Sequence, residues 1–316
     1  MLGNNSFEPH VSVIMNCHNG GSYLLDSLDS LISQSYQNWE LIFWDNCSED
    51  NSAAIVKSYK NKKFRYFHSP AYTRLGEARN LALEKATGDF IAFLDCDDIW
   101  LPNKLEKQLP LFKDNTVGIV ISDAQFFNKK GDINGTRAFK RFKPYRGRVF
   151  RKLLTSYFIP LPTAIIRASM LNNMRYAFDS SFNVIEEYDL FIRLCFNCSV
   201  DYIDEVLAKW RVHSNSLTWK NPELFPYEKR IFLKKLALNY ENFEIDYKQE
   251  LQCIKRQIKT HEALINWSKN DKKMAIESLN PILDGTGKSI LIYILIKFLP
   301  YKVFNFINKR RHGLIN

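Results

Sequence analysis

The strongest constraint on the fold is the alternation of short apolar segments with longer segments whose apolar residues recur at helical spacing. VSVIMN (11–16), WELIFWD (39–45), FRYFHS (64–69) and FIAFL (90–94) have the length and the aromatic or β-branched content of buried strands. YLLDSLDSLISQ (23–34) has helical spacing between the first two. Because a helix between two strands lets them pair in parallel, the sequence predicts an α/β fold with a doubly wound, mostly parallel sheet.

Polar residues begin where these strands end. They are residues 16–19, Asp45 and residues 95–98 of FIAFLDCDDIW. The carboxyl ends of parallel strands share one edge of the sheet, where ligands bind in such folds, so we expect these residues to converge. The three carboxylates of DCDD repel one another, and a divalent cation with oxygen ligands would relieve that repulsion. The alternative is an acid-rich turn exposed to solvent.

A basic stretch, residues 128–150, interrupts the alternation. It follows a helical segment (103–112) and a strand (117–127), and it contains eight Lys or Arg residues together with Gly and Pro. We predict an exposed hairpin or loop here. Contact with an anionic acceptor or with a membrane is the alternative.

Length and composition restrict the class of protein. A chain of 316 residues predicts one large domain with an appendage, or two domains. With 46% hydrophobic and 25% charged residues it is a folded protein, not a disordered one. The net charge of +10 suits nucleotides, nucleic acid or an anionic membrane. Because the charge is spread out and no zinc-finger or RNP-like pattern is present, we expect no nucleic-acid partner.

The cysteines and the first residues point to the cytoplasm. The six cysteines are scattered without the density of a disulfide scaffold, so reduced thiols are expected. Cys195 and Cys198 form a C-x-x-C without a second pair at zinc-finger spacing, and we predict that they pack in a helix. The first six residues lack the charged and apolar regions of a secretory signal, which favours a cytoplasmic protein.

Five motifs in order carry a family resemblance between about Val11 and Asn215. They are VSVIMNCHNG, SLISQSYQNWELIFWDNCSED, GEARNLAL with GDFIAFLDCDD, EEYDLFIRL and WRVHSNS. In this combination the chain resembles the family 2 glycosyltransferases of the GT-A fold, of the bacterial surface-glycan type. The resemblance implies transfer of a sugar from a nucleotide diphosphate sugar, typically UDP-linked, with inversion at the anomeric carbon.

The resemblance also implies a nucleotide-binding edge. Asp45 matches the family residue that reads the uracil edge. Asn16, His18 and Asn19 match the turn that packs on base and ribose. His18 replaces the usual Tyr and keeps a ring for stacking, but its protonation at acid pH would weaken base binding.

Two further matches surround the diphosphate. The D-x-D motif falls on Asp95 and Asp97, with Asp98 following, and it would hold Mn²⁺ or Mg²⁺ as cofactor against the diphosphate. Arg79 matches a family Arg near the nucleotide. For Arg79 the alternative is a helix-surface ion pair with Glu77 or other nearby acids.

The catalytic base is predicted in IEEYDLFIRL (185–194). Acidic side chains at the start of a helix interact favourably with the positive end of the helix dipole. This stabilising role is the structural alternative for Glu186, Glu187 and Asp189. The family base is the Asp of a Glu-Asp pair and falls on Glu187, a departure in side-chain length. Asp189 is the second candidate for the base.

The WRVHSNS motif (210–216) matches a loop that closes over the diphosphate or metal. Arg211 and His213 are therefore candidates for phosphate contact, and His213 is also a candidate metal ligand. An ordinary surface histidine is the alternative.

The C-terminal part departs from the alternating pattern. Residues 226–279 predict helices, and SILIYILIKFLPYKVFNFINKRR (289–311) is broken by Lys297 and Pro300, so it is too short to span a bilayer. Its aromatic and basic residues favour a segment lying in an anionic membrane interface. A helix that covers the protein's own core, or a dimer contact, is the alternative.

The organisation and function follow from these features. We expect a GT-A domain over 8–219, with a nucleotide-sugar half (8–123) and an acceptor half (124–219), and a helical region over 220–316. The predicted function is a metal-dependent inverting glycosyltransferase at the inner membrane face, which moves sugar from a nucleotide diphosphate sugar to a glycan or lipid-linked acceptor. The alternatives are a nucleotidyltransferase, although MNCHNGGSY lacks the phosphate-loop cation, and a non-catalytic nucleotide-sugar-binding relative.

Overall fold

The chain divides into two compact units, residues 1–211 and 212–316. The computed structural model describes residues 7–172, 174–213, 221–283 and 287–311. Residues 214–216 of the predicted WRVHSNS loop lie outside these ranges. Each unit is described below by itself.

The described part of the first unit is built around one mixed sheet. Its strands are β1 (Val11–Cys17), β2 (Trp39–Asp45), β3 (Phe64–His68), β4 (Phe90–Phe93), β5 (Ile99–Trp100), β6 (Val117–Asn128), β7 (Gly131–Arg137), β8 (Ile165–Arg167) and β9 (Ser199–Arg211). The strand order is β3-β2-β1-β4-β8-β6-β9-β5, with β7 paired to β6. The helices are α1 (Gly21–Ile32), α2 (Ser52–Ser58), α3 (Leu75–Leu83), α4 (Lys104–Gln108), α5 (Ala138–Arg141), α6 (Phe150–Thr155), α7 (Ala168–Asn172) and α8 (Glu186–Asn197).

The four strands β3-β2-β1-β4 form the parallel part of the sheet. Val11 is opposite Trp39 on one side of β1 and opposite Phe90 on the other. Every residue of β2 and β4 is buried, as expected for strands covered on both faces. Helices α1, α2 and α3 connect the consecutive strands. The predicted alternation of strand and helix is therefore present over the first ninety-odd residues.

Beyond β4 the sheet is mixed rather than parallel. β8 runs antiparallel to both β4 and β6, and β5 runs antiparallel to β9, while β6 and β9 are parallel. Strands β6 and β7 are separated by the two residues Lys129 and Lys130, a connection that permits only an antiparallel hairpin. The basic stretch 128–150 thus contains a hairpin strand and the short helix α5, in line with the predicted hairpin.

The described part of the second unit is helical. Its helices are α9 (Leu224–Asn239), α10 (Phe243–Asp246), α11 (Lys248–Ser268), α12 (Lys272–Leu279), α13 (Gly287–Phe298) and α14 (Tyr301–Arg311). Trp267, Leu279 and Ile296 are fully buried in a core that α11, α12 and α13 share. Across the described residues, no helix combines the length and the apolarity that crossing a membrane requires.

Candidate active site

Two loops meet at the carboxyl edge of the sheet through a close approach at Gly20. A β-carbon at Gly20 would lie 2.7 Å from Sγ of Cys17 and 2.6 Å from Sγ of Cys96. A β-carbon essentially never lies this close to an atom to which it is not bonded, so only glycine fits between the two sulfurs. Cys96 lies between Asp95 and Asp97, and Cys17 follows Asn16. The turn after β1 is therefore packed directly against the acidic loop after β4.

The acidic loop brings three carboxylates together. Oxygens of Asp95, Asp97 and Asp98 lie within 4.8 Å of one another. Burial raises the pKa of Asp95 and of Asp98, and the neighbouring Asp97 carboxylate raises both further. Clustered carboxylate oxygens that repel one another are the donor set that hard divalent cations prefer, so the residues present fit Mn²⁺ or Mg²⁺.

Arg79 connects the acidic loop to helix α8. Its guanidinium is 4% exposed and lies 3.2 Å from Oδ1 of Asp95 and 3.0 Å from Oε1 of Glu186. Burial by itself would lower the pKa of Arg79, but the surrounding carboxylates, Asp95 first, outweigh it and raise the pKa. Arg79 thus forms a buried ion pair rather than the surface pair with Glu77 considered as the alternative. Its contact with a nucleotide stays a prediction.

The two candidate bases on α8 differ in their surroundings. Asp189 is buried and accepts hydrogen bonds from Nε and Nη2 of Arg193, at 2.9 and 2.6 Å. Glu187 is half-buried and forms no hydrogen bond or ion pair with any other residue that the structure describes. Burial, followed by the charge of Glu186, raises the pKa of Glu187 to about 8. Of the two carboxylates, Glu187 has the free oxygens and the pKa suited to a base near neutral pH.

The turn after β1 presents an exposed ring and an amide. His18 donates from Nδ1 to the carbonyl oxygen of Asn46 at 2.9 Å. Its ring packs edge to face against that of Tyr72, with 4.7 Å between the ring centroids. Asn19 accepts from the N–H of Glu49 through Oδ1 at 2.9 Å, which fixes this turn to the loop after β2. Asn16 places Nδ2 in a buried position without a hydrogen-bond partner among the described residues. Such an orphaned donor favours a ligand at this edge.

Asp45 is fully buried at the end of β2. Its Oδ1 accepts from the N–H of Ser48 at 2.8 Å, and its Oδ2 accepts from the hydroxyl of Tyr66 at 2.6 Å. Burial would raise the pKa of Asp45, but these hydrogen bonds outweigh it and lower the pKa. In this arrangement Asp45 shapes the loop after β2. Contact between Asp45 and a base edge stays a prediction.

Arg211 closes the acidic loop from the side of β9. Its backbone N–H donates to Oδ1 of Asp98 at 2.8 Å, and Nε donates to the carbonyl oxygen of Asp97 at 2.7 Å. The guanidinium also pairs with Asp26 on α1 at 2.9 Å. Arg211 therefore positions the acidic loop, and its predicted phosphate contact is untested. His213 belongs to the second unit, so its predicted contact with phosphate or metal also stays a prediction.

Sequence reasoning missed Tyr72 and the ion pair of Glu186. Tyr72 lies in the loop after β3, 57% exposed, beside His18. An aromatic residue in a polar loop was the only signal for it. Glu186 resembled a helix-dipole partner, but it is the buried partner of Arg79. No local pattern links two residues that are 107 positions apart.

Comparison with known proteins identifies the family. The family model described as Glycosyl transferase family 2 matches residues 12–175. The Escherichia coli protein WfgD, a UDP-Glc:alpha-D-GlcNAc-diphosphoundecaprenol beta-1,3-glucosyltransferase, is 28% identical over 210 residues, which are 66% of this chain and 79% of WfgD. The chain belongs to glycosyl transferase family 2, and it is a glycosyltransferase.

Two solved structures share the fold. S. aureus TarS 1–349 in complex with UDP-GlcNAc aligns with a TM-score of 0.64 at 18% identity, over 96% of this chain and 92% of that one. The mannosyltransferase PcManGT from Pyrobaculum calidifontis, in complex with GDP-Man and Mn²⁺, aligns with a TM-score of 0.64 at 14% identity, over 95% and 84%. These similarities confirm the predicted GT-A fold with its helical C-terminal extension.

Replacing Arg79 tests the buried connection. Arg79→Met leaves Glu186 as an uncompensated buried charge and removes the partner of the partly exposed Asp95, and we expect the free energy of unfolding to fall by about 3–5 kcal/mol. Urea unfolding measures this loss. Because Glu186→Gln removes the stranded charge, the double variant should lose less than the sum of the two single variants. The exposed Arg175→Met serves as the control and should change stability by less than about 0.5 kcal/mol. Strictly additive losses would contradict the pairing.

Proposed function

We propose that the chain is a metal-dependent inverting glycosyltransferase that moves a sugar from a UDP-linked donor to a lipid-linked acceptor in surface-glycan synthesis. The observation that carries this proposal is the link from the acidic cluster through Arg79 to the helix that holds Glu187. A single displacement needs a donor-binding edge and an unpaired carboxylate. Arg79 fixes the acidic loop relative to the helix that carries this carboxylate.

In the proposed mechanism Asp95 and Asp97 would hold Mn²⁺ or Mg²⁺, which would supply positive charge for the leaving diphosphate. Arg79 and Arg211 keep the acidic loop in place. Glu187 takes the proton from the acceptor hydroxyl as that oxygen attacks the anomeric carbon, and Asp189 fixes the helix through Arg193. Inversion follows because attack comes from the face opposite the leaving group.

The donor is proposed to bind with its base against the exposed rings of His18 and Tyr72, which touch each other edge to face. Both rings are exposed, and the buried amide nitrogen of Asn16, which has no hydrogen-bond partner among the described residues, lies at the end of β1 shortly before His18. Asn19 and Asp45 shape the two loops around the base. The names of WfgD and TarS include UDP-sugars, which supports a UDP-linked donor for this chain, whereas PcManGT shows that the same fold also takes GDP-mannose.

The acceptor is proposed to be lipid-linked, as the name of WfgD states for that protein. Helices α13 and α14 support a membrane location because Leu291, Phe298 and Phe306 are each more than half exposed. Lys297 and Lys302 lie in the same segment and suit an anionic surface. We also propose that residues 8–123 form the donor half, that 124–219 form the acceptor half, and that the protein works at the inner face of the membrane.

A donor panel tests metal dependence and nucleotide choice. Purified protein is incubated with UDP-, GDP- and dTDP-sugars in Mn²⁺, Mg²⁺ or EDTA, and nucleotide release is measured. We expect UDP release that EDTA abolishes and that Asp97→Asn lowers at least about 100-fold, because electrostatic stabilisation of the leaving group is lost. The exposed Asp204→Asn is the matched control. Equal rates in EDTA and in Mn²⁺ would refute the metal role, and release of GDP alone would refute the UDP donor.

A pH profile tests the base. Only the ionised carboxylate accepts a proton, so transfer to a GlcNAc-diphospholipid should rise with pH and reach half of its maximum at or below about pH 8, the pKa of Glu187. A bound cation near Asp95 shifts this limb to lower pH. Glu187→Gln should lower transfer about 100-fold or more while donor binding is unchanged, and Glu187→Asp should recover part of the rate. The exposed Glu84→Gln is the control. If Glu187→Gln transferred sugar at the full rate, another residue would have to be the base.

Vesicle sedimentation tests the membrane surface. We expect binding to phosphatidylglycerol vesicles, little binding to phosphatidylcholine vesicles, and weaker binding as salt rises. Leu291→Asp with Phe298→Asp should reduce binding at least about tenfold, because both apolar side chains leave the interface. Met274→Asp, an exposed position on α12, is the control. Unchanged sedimentation of the double variant would argue against this surface.

A further inference from the structure

The second unit contains a groove that the proposed reaction does not use. It lies along α9 and α11, has a volume of about 960 Å³, and is closed at one side by Pro281 and Ile282. Leu251, Ile258 and Ile282 form buried parts of its wall, and Leu233 lines it from α9. A volume of this size accommodates a small-molecule ligand with a hydrocarbon chain.

The rim of the groove carries mainly positive charge. Arg230 and Lys234 on α9 and Lys255, Arg256 and Lys259 on α11 all line it, against one acid, Glu244. Helical spacing explains the arrangement, because residues three and four apart present one face of each helix to the groove.

Part of this charge is already neutralised, and part of it is not. Arg230 and Lys259 both pair with Glu262. Lys234 and Lys255 are exposed, and neither forms a hydrogen bond or ion pair with any residue in the described part of the chain. Two free ammonium groups therefore stand on opposite helices above an apolar wall. A ligand that matches both the apolar wall and the two ammonium groups must be apolar along most of its length and anionic at one end.

We infer that this groove binds a single anionic amphiphile, a hydrocarbon chain that ends in a phosphate or diphosphate. The chain would lie against Leu251, Ile258 and Ile282, where it is removed from water. The phosphate oxygens would accept charge-assisted hydrogen bonds from Lys234 and Lys255. An apolar peptide helix would satisfy the wall but would leave both ammonium groups without a partner. The inference needs neither a donor sugar nor the acidic cluster, so it stands or falls separately from the proposed function.

Matched ligands test the inference on the full chain. Farnesyl phosphate, farnesol and inorganic phosphate are titrated separately at submicellar concentrations, and binding is followed by calorimetry and native mass spectrometry. We expect farnesyl phosphate to bind one to one, at least tenfold more tightly than farnesol, with no measurable binding of inorganic phosphate. Equal affinity for farnesol and farnesyl phosphate would overturn the inference, since the charged rim would contribute nothing. Binding of inorganic phosphate as tight as that of farnesyl phosphate would overturn it as well.

Two variants assign the binding to the groove. Lys234→Glu with Lys255→Glu should weaken farnesyl phosphate at least tenfold, whereas Lys272→Glu with Lys273→Glu, the same charge change on α12, should leave it unchanged. Ala237→Trp fills the groove and should abolish binding, with folding checked by circular dichroism. Unchanged affinity in both Lys234→Glu with Lys255→Glu and Ala237→Trp would overturn the inference. The inference would also be overturned if light scattering showed a dimer that Ala237→Trp converts to a monomer, because the groove would then be an interface between copies.

Discussion

The buried ion pair of Arg79 is the interaction on which the candidate site depends. Its guanidinium holds a carboxylate from the loop after β4 and a carboxylate from the first turn of α8. Glu186 is buried and needs a partner of opposite sign to remain charged, whereas Asp95 is partly exposed. Arg79 on α3 thus links the acidic cluster to the helix that carries Glu187.

Excess negative charge is the second organising feature of this edge. Burial and mutual repulsion raise the pKa of Asp95, Asp98 and Glu187. In the proposed mechanism a cation at the acidic cluster would offset that repulsion and would lower the pKa of Glu187. The same electrostatics would thereby link metal binding to catalysis.

Arg211 and Gly20 show how the surrounding structure supports the cluster. Arg211 holds the backbone of the acidic loop from β9, and Gly20 allows the turn after β1 to pack on Cys96. Both restrain the loop without contributing a metal ligand. Rigid placement of this kind is required because small displacements of reacting groups cost much of the rate.

The sequence by itself determined the alternation of strands and helices, the placement of polar residues at strand ends, and the acids of D-x-D and of α8. These features are local, since they depend on periodicity and on residues adjacent in the chain. Only the tertiary structure decided the mixed order of the sheet beyond β4, the pairing of Arg79 with Glu186, and the contact of Tyr72 with His18. It also left Glu187 without a hydrogen bond or ion pair among the described residues, whereas the pairing of Asp189 with Arg193 is a local i, i+4 contact. Burial and contacts between distant segments set these outcomes, and no spacing in the sequence encodes which distant side chains meet.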